Sequence, residues 1–362
     1  MKVLVLAEEY SSDKRISQGF IHTRNLEYIK KNIEVDVISF KSTEEKYIYE
    51  KIPVYSLDGF LKNKDIQSYD IVISHAPNIK HHCKFINKNY KKIKKMIFFF
   101  HGHEILYSKN IYPKPYSYMK KNNYFKESVR NLYDCFKIKY MKKFLYKVMS
   151  KSFYIFVSDW MYNEFKKNIK INLKNNKYEI IYNAIGEEFL NNKYNKSKNK
   201  KYDFITIRNM LDGSKYCIDV VNNIAKNNPD FVFLVIGKGK YFKYNEKAKN
   251  VKVINENLTH KEIVKYLGDS RYALMPTRAD AQGVMMCEMA AYGIPLITSD
   301  IPVCHMVLGD VKNIYFISND NSNINLNEIT KIKKEGIDAK EKFSKNNTIE
   351  REIDTIYRYF NI

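Results

Sequence analysis

The chain has 362 residues, enough for two domains that each bury a core. Apolar residues make up 44% of it, which excludes a disordered chain, and the low counts of 12 Gly and 8 Pro exclude a fibrous or linker-like sequence. The formal net charge is +22, and most of the cations are lysines. An arginine inside a motif is therefore more informative than a lysine, because its planar fork suits phosphate and carboxylate.

The sequence predicts a cytoplasmic protein. It contains no run of 18 apolar residues, which a transmembrane helix needs. The first apolar stretch, residues 3–7, is too short for a signal peptide and leads into Glu8 and Glu9. The five cysteines are scattered and never form a CxxC pair, so we expect reduced thiols.

The N-terminal half predicts a parallel sheet. Helical stretches separate short apolar runs, which lie at residues 3–7, 35–40, 71–74, 96–100 and 153–157. Such runs are typical of strands buried on both faces, and their alternation with helices indicates βαβ units. Ligands bind beyond the carboxyl ends of these strands, and His101 directly follows one of them.

A second α/β series follows the Lys/Asn-rich linker at residues 191–201. Its predicted strands are residues 204–207, 231–236, 251–254, 272–275 and 295–298. Residues 340–360 predict one C-terminal helix. Residues 237–242 lack the third glycine of a dinucleotide fingerprint, so an NAD-dependent oxidoreductase is a poor interpretation.

The most informative stretch is residues 275–300, MPTRADAQGVMMCEMAAYGIPLITSD. A strand leads into a polar loop, Gly283 opens a short helix, and a second strand follows. The start of the helix presents free N–H groups, which form an anion site. Asp280 and Glu288 bracket that site, and carboxylates accept hydrogen bonds from hydroxyls. The combination suits a sugar and a ribose on either side of a diphosphate.

This stretch resembles the retaining GT-B glycosyltransferases of the large GT4-like family. Their loop and helix have the form E-G-F-G-x-x-x-x-E-A-M-A-x-G-x-P-V, and this chain has D-A-Q-G-V-M-M-C-E-M-A-A-Y-G-I-P-L. Asp280 replaces the first glutamate of the pattern, and Gln282 replaces its phenylalanine. The resemblance implies that the donor is held by the loop and helix start, namely Asp280, Gln282, Gly283, Val284, Met285 and Glu288.

Other segments resemble the same family. Arg208 and Lys215 match the cations that clamp the donor diphosphate, and two cations balance a diphosphate without a metal. Asn183 matches the interdomain segment, in which Ala184 replaces the family's glycine. Gly19 matches a loop that faces the phosphates, and His101 matches a histidine that touches the donor sugar. The implied catalytic residues are Asp280, Glu288, Arg208, Lys215 and His101.

The resemblance implies a GT-B fold, with two Rossmann-like parallel-sheet domains facing across a cleft. The acceptor-binding domain is predicted at residues 1–185, joined by a C-terminal helix at about 345–362 that crosses back to it. The nucleotide-sugar-binding domain is predicted at residues 186–344.

The implied activity is transfer of a sugar, with retention, from a nucleotide-sugar to a glycan or lipid-linked acceptor in bacterial surface polysaccharide synthesis. No cofactor or metal is expected, and the sequence lacks the Asp-x-Asp pair typical of metal-dependent GT-A enzymes. Two alternatives remain open. One is a non-catalytic peripheral-membrane or glycan-binding protein with this fold, and the other is a sugar-nucleotide epimerase.

The basic and aromatic segment at residues 105–150 has three interpretations. It is a scaffold whose lysines extend over apolar surface, a surface that docks on the anionic inner face of the plasma membrane, or a nucleic-acid-binding region. The first is favoured. Nucleic acid ranks last and is not expected as a partner, because no recognition motif accompanies the segment.

Overall fold

The computed structural model describes residues 1–13, 19–119, 124–196, 199–321, 323–326 and 335–360. Contacts divide the chain into two compact units. The first unit comprises residues 1–108, 129–184 and 345–362, and the second comprises residues 109–128 and 185–344. Within the described residues, no helix combines the length and apolar character that crossing a bilayer requires.

The first unit is built on eight strands: β1 (Lys2–Ala7), β2 (Glu34–Ser39), β3 (Lys46–Tyr49), β4 (Ile52–Tyr55), β5 (Ile71–His75), β6 (Lys95–Phe100), β7 (Ser152–Phe156) and β8 (Tyr178–Ile180). They form one sheet in the order β3-β4-β2-β1-β5-β6-β7-β8, in which only the β3–β4 pair is antiparallel. β1 lies between β2 and β5, and its side chains are buried on both faces, as its continuous apolar run predicted.

Helices connect these strands: α1 (Gly19–Lys30), α2 (Leu57–Asn63), α3 (Lys84–Asn89), α4 (Ser108–Ile111), α5 (Tyr124–Val148) and α6 (Asp159–Ile169). The side chain of Ser158 accepts a hydrogen bond from the Met161 N–H and so caps the start of α6. α4 begins in the first unit and continues into the second.

The C-terminal helix Arg351–Phe360 packs in the first unit, as predicted. Arg24 donates from Nε to Glu352 Oε2 at 2.9 Å, and both side chains are buried. Tyr28 also donates to Glu352. The prediction of one helix over residues 340–360 was wrong. A short helix, Ala339–Lys342, belongs to the second unit, and the chain passes to the first unit after residue 344.

The second unit contains six strands: β9 (Tyr202–Met210), β10 (Phe233–Lys238), β11 (Val251–Ile254), β12 (Ser270–Met275), β13 (Leu296–Ser299) and β14 (Ile314–Ile317). Its connecting helices are α7 (Glu187–Asn191), α8 (Ile218–Asn227), α9 (Tyr241–Tyr244), α10 (His260–Gly268), α11 (Val284–Tyr292) and α12 (Pro302–Leu308). The sheet is parallel throughout, in the order β11-β10-β9-β12-β13-β14. The strand order therefore reverses between β9 and β12, where α/β sheets bind their ligands.

Residues 109–119 group with the second unit, whereas the sequence analysis placed them in the first domain. The reason is a set of contacts made by two tyrosines. Tyr116 and Tyr118 pack against the apolar core of the second unit. Tyr116 donates a hydrogen bond to Asp219, and Tyr118 donates one to Asp212.

Candidate active site

The point of strand reversal in the second unit brings predicted site residues together. β9 ends in Arg208, Asn209 and Met210, and Lys215 lies in the loop that follows. The next strand in the sheet, β12, ends at Met275 and leads into the loop at residues 276–283. Because the carboxyl ends of β9 and β12 lie side by side, Arg208 reaches across and donates from Nη2 to the Pro276 carbonyl at 2.6 Å.

Arg208 carries a buried positive charge with few partners. Its exposed fraction is 6%, and its Nε has no hydrogen-bond partner. Within the described residues, no hydrogen bond joins its guanidinium to a carboxylate. Burial lowers the pKa of the guanidinium, and the charge of Asp280 opposes that shift. A buried cation without an ion pair is costly, so this group is poised for an anion.

Lys215 lies close to Arg208, and Tyr216 contacts both. The Arg208 guanidinium carbon is 5.3 Å from the centroid of the Tyr216 ring, and Lys215 Nζ is 4.8 Å from it. Cation–π contacts of this length hold both cations over the ring. The sequence analysis missed Tyr216, because nothing in the sequence distinguishes it among 30 tyrosines.

Hydrogen bonds fix the loop after β12 against the Lys215 loop. The Arg278 N–H and the Thr277 hydroxyl both donate to the Lys215 carbonyl, at 2.9 and 3.1 Å. Arg278 also forms a two-pronged ion pair with Asp219, at 2.9 and 2.6 Å. Unlike Arg208, Arg278 already has its carboxylate, so its charge is neutralised within the protein.

Asp280 organises the turn that leads into α11. Its Oδ1 accepts hydrogen bonds from the N–H groups of Ala281, Gln282 and Gly283, at 2.8, 3.3 and 2.9 Å. Gly283 has φ +76°, and a Cβ there would lie 2.0 Å from Met286 Cε. The positive φ favours glycine at this turn, whereas the steric contact is with the flexible end of the Met286 side chain.

The remaining predicted residues of this motif lie on either side of the helix start. Gln282 is buried, and its Nε2 is 3.8 Å from Cys287 Sγ. Val284 and Met285 form the first turn of α11 and are half-buried. The first N–H groups of a helix have no partner within it, so this accessible turn offers donors to an anion.

Glu288 is a buried carboxyl with an exposed fraction of 3%. Its Oε1 accepts a hydrogen bond from the Gly186 N–H at 3.0 Å and lies 3.8 Å from His260 Nε2. Burial raises the pKa of Glu288 to about 7, although the hydrogen bond from Gly186 favours the charged form. Gly186 and His260 were not predicted, because both meet Glu288 only through the folded chain.

Three predicted residues belong to the first unit. Gly19 is the exposed first residue of α1, and a Cβ there would meet nothing within 4 Å. Asn183 is buried. His101 directly follows β6, as predicted, and its Nε2 lies 3.2 Å from Nδ1 of the buried His75. The ring of Phe20 packs against His101, with centroids 4.7 Å apart.

The surroundings of the two histidines favour their neutral forms. Burial and the neighbouring Arg24 lower the pKa of His101 well below its usual value. Burial and the neighbouring His101 do the same to the pKa of His75. His75, which the sequence analysis did not select, has a buried Nε2 without a hydrogen-bond partner. The pair can therefore exchange hydrogen bonds with an uncharged ligand.

The fold is that of GT-B glycosyltransferases, which confirms the predicted fold class. Sucrose-phosphate synthase from Thermosynechococcus elongatus has a TM-score of 0.68 at 10% identity, covering 99% of this chain and 98% of its own. Anabaena HepE, solved in complex with UDP and glucose, has a TM-score of 0.65 at 10% identity, covering 100% and 99%. WaaG, a glycosyltransferase involved in lipopolysaccharide biosynthesis, has a TM-score of 0.64 at 11% identity, covering 98% and 99%.

The sequence comparison agrees with the fold. Residues 188–349, a range that includes the motif at residues 275–300, match the model of the family of glycosyl transferases group 1. One curated relative, an uncharacterised 41.2 kDa protein in the cps region of Klebsiella pneumoniae, is 24% identical over 160 residues. The match covers 41% of this chain and 44% of that relative, less than half of either.

Proposed function

We propose that the protein is a retaining glycosyltransferase that uses a nucleotide-sugar donor without a metal. The observation that carries the proposal is the Arg208 guanidinium, buried at the point of strand reversal with an unpartnered Nε and next to Lys215. The half-buried first turn of α11 supplies N–H donors at the same edge of the sheet. Two cations and a helix start form a site for a diphosphate.

The two carboxyl groups suit the hydroxyls of such a donor. Oδ1 of Asp280 already accepts three backbone hydrogen bonds, which leaves Oδ2 to accept from a hydroxyl of the donor sugar. Glu288 accepts from the ribose. Because a ribose hydroxyl donates to the charged carboxylate, binding lowers the pKa of Glu288 and releases a proton near pH 7.

The reaction follows from charge at the leaving group. As the glycosidic bond to the diphosphate breaks, negative charge grows on the phosphate oxygen, and Arg208 with Lys215 stabilises it. That oxygen accepts the proton of the acceptor hydroxyl on the same face of the sugar, so the new bond has the configuration of the old one. The protein contributes positioning and charge, and no protein nucleophile is needed.

We assign acceptor binding to the first unit, with Gly19 and His101 lining its ligand-binding edge. Neutral His75 and His101 suit the hydroxyls of a glycan or lipid-linked acceptor. Asn183 is proposed as a donor contact by the resemblance alone. The cps-region description of the Klebsiella pneumoniae relative supports a role in surface polysaccharide synthesis.

The exposed face of α5 supports a membrane-associated location. Leu132, Phe136 and Tyr146 are large apolar side chains that are 73%, 57% and 73% exposed. Lys139 and Lys143 are exposed on the same helix face, at helical spacing from Phe136. Apolar side chains beside lysines suit the boundary of an anionic bilayer. Leu132→Ser with Phe136→Ser should abolish sedimentation with phosphatidylglycerol vesicles, and unchanged sedimentation would contradict this placement.

The first test is nucleotide binding without added metal. Thermal shifts with UDP, GDP, ADP and CMP should show one nucleotide that stabilises the wild type by about 3 kcal/mol at a hundredfold its dissociation constant. Arg208→Ala should lose the shift. Arg271→Ala is the matched control, because Arg271 is exposed and pairs with Asp203 in the same unit. No shift with any nucleotide would contradict the proposal.

The second test follows the sugar. The matching nucleotide-sugar and a panel of lipid-linked and free glycans should give a product with the donor's anomeric configuration, and EDTA should leave the rate unchanged. A product with the configuration inverted would contradict the retaining reaction. Conversion of the nucleotide-sugar without any acceptor would instead identify an epimerase.

A further inference from the structure

Residues 109–119 form a segment, here named the strap, that comes from between β6 and α5 in the chain and packs in the second unit. Its two anchors are Tyr116 and Tyr118, whose rings stack 5.9 Å apart. Both rings pack against Tyr241, and Tyr118 also stacks on Tyr244 with centroids 4.6 Å apart. The strap is therefore a packed part of this unit, although the chain reaches it from the first.

The Tyr118 anchor holds one side of the loop that carries Lys215. The Tyr118 hydroxyl donates to Asp212 Oδ1 at 2.7 Å. Asp212 also accepts from the Lys240 N–H, at 2.9 and 3.0 Å, at the end of the neighbouring β10. Asp212 lies four residues after Arg208 and three before Lys215, so this anchor fixes the backbone between the two cations.

The Tyr116 anchor holds the other side of the same loop. Its hydroxyl donates to Asp219 Oδ1 at 2.8 Å, in the first turn of α8. Asp219 pairs with Arg278, whose Nη1 also donates to the Ser214 carbonyl at 2.8 Å. Hydrogen bonds from Arg278 and Tyr116 lower the pKa of Asp219 despite its burial, so the network stays charged. Tyr116 thus stabilises the connection between the Lys215 loop and the loop before α11.

We propose that the strap is a positioning element of the diphosphate site, with Tyr116 and Tyr118 as positioning residues for Lys215 and Arg208. The inference rests on the proposed donor site and extends it to a segment outside the match to the family. The two hydroxyls touch no predicted ligand atom. They act through Asp212 and Asp219, which flank the loop.

The chemistry predicts which part of the affinity depends on the strap. A nucleoside monophosphate should depend less on Arg208, Lys215 and the start of α11 than a diphosphate does. The reason is that it presents one phosphate to these groups instead of two. Loosening the loop should therefore weaken diphosphate binding more than monophosphate binding. The double variant Tyr116→Phe/Tyr118→Phe keeps both rings and removes only the two hydroxyls, and we expect about a tenfold fall in the ratio of the two affinities.

Calorimetric titrations of UDP, GDP and ADP, each with its monophosphate, test this on the full chain. Tyr244→Phe is the matched control, because it keeps a ring that stacks on Tyr118 and removes the hydroxyl of a residue that is 61% exposed. The control should keep the wild-type ratio. A double variant that melts earlier but keeps the wild-type ratio would show a merely structural strap and overturn the inference.

The outcome also separates this inference from the proposed function. A wild-type chain that binds no diphosphate overturns both. If the wild type binds diphosphate and the double variant keeps the wild-type ratio of diphosphate to monophosphate affinity, only the inference about the strap is overturned. A fall in the ratio in the double variant, with the control unchanged, supports both.

Discussion

The two sheets are built mainly of parallel strands, but two buried arginines, Arg24 on α1 of the first unit and Arg208 near the end of β9 in the second, have opposite surroundings. In the first unit, Arg24 is 1% exposed and donates to the buried carboxylate of Glu352 at 2.9 Å. In the second, Arg208 is 6% exposed; among the described residues it donates only to the Pro276 carbonyl, and its Nε has no partner. Glu352 neutralises the charge of Arg24, whereas no hydrogen bond from a described residue joins the Arg208 guanidinium to a carboxylate.

The difference indicates what each unit can bind. The histidine pair of the first unit, His75 and His101, is neutral and lies beside an arginine that is already paired. Such an edge suits hydroxyls. The second unit offers Arg208, Lys215 and a helix start, which suit phosphate oxygens. The same topology therefore presents a neutral edge in one unit and a cationic edge in the other.

The largest effect on stability is expected from replacing Arg24, the arginine that pairs with Glu352. Arg24→Met leaves the buried Glu352 carboxylate without its cation, which should cost about 3–5 kcal/mol of stability. Urea unfolding measures the loss. The double variant Arg24→Met/Glu352→Met removes both charges and should recover most of it. A double variant as unstable as the single one would contradict the charge argument.

Arg208→Met should have the opposite effect on stability from Arg24→Met. It removes a buried charge that has no carboxylate partner, so the thermal midpoint of the unliganded protein should stay the same or rise. Affinity for the nucleoside diphosphate should fall about a hundredfold, the equivalent of about 3 kcal/mol. Calorimetric titration and a melting curve on the same sample test both halves. A drop in midpoint like that of Arg24→Met would show that Arg208 is structural.

The pH dependence of stability tests the buried environment of Glu288 in the second unit. Its pKa of about 7 in the folded state exceeds the ordinary value of 4.5. Between pH 4.5 and pH 7, Glu288 therefore binds a proton more often in the folded state than in the unfolded state. The stability that this proton binding contributes is lost as pH rises from 4.5 through 7. Relative to Glu288→Gln, the wild type should lose up to about 3 kcal/mol between pH 4 and pH 8. Parallel unfolding curves at each pH measure the difference, and a constant difference would contradict the raised pKa.

The smallest effect is expected at the histidine pair. Because burial holds the pKa of His75 and His101 well below the usual value, neither imidazole should show a titration midpoint near that value. NMR of the ring C–H protons follows this directly, with assignment from His75→Phe and His101→Phe spectra. A midpoint near 6.5 for either ring would show that the edge becomes cationic in mild acid.

Much of the fold was predictable because local signals agreed with it. Continuous apolar runs predicted strands buried on both faces, and the glycine-bounded motif predicted a loop and helix start. The proximity of Arg208 to the loop after β12 was implied only by the family resemblance, because nothing in the sequence shows that β9 and β12 are neighbours in the sheet. The order of the predicted strands and helices along the chain therefore indicated most of the architecture.

The unpredicted parts depend on contacts between distant residues. Gly186 meets Glu288 across 102 positions, and Tyr116 meets Asp219 across 103. Neither pair has a spacing that a helix or strand would produce. Tyr216 was invisible for a different reason, since tyrosine is so common in this chain that no single one stands out. The predicted C-terminal helix was too long, because Ala339–Lys342 belongs to the second unit and Arg351–Phe360 to the first.

The link between Arg24 and Glu352 bears on the order in which the chain acquires its structure during synthesis. The two residues are 328 positions apart, so Arg24 lacks its partner until the ribosome has also made residues 185–344 of the second unit. Most of the second unit, residues 185–344, is continuous and precedes that point. Although domains are generally completed from the N-terminus during translation, here the unit that begins the chain should be the last to mature.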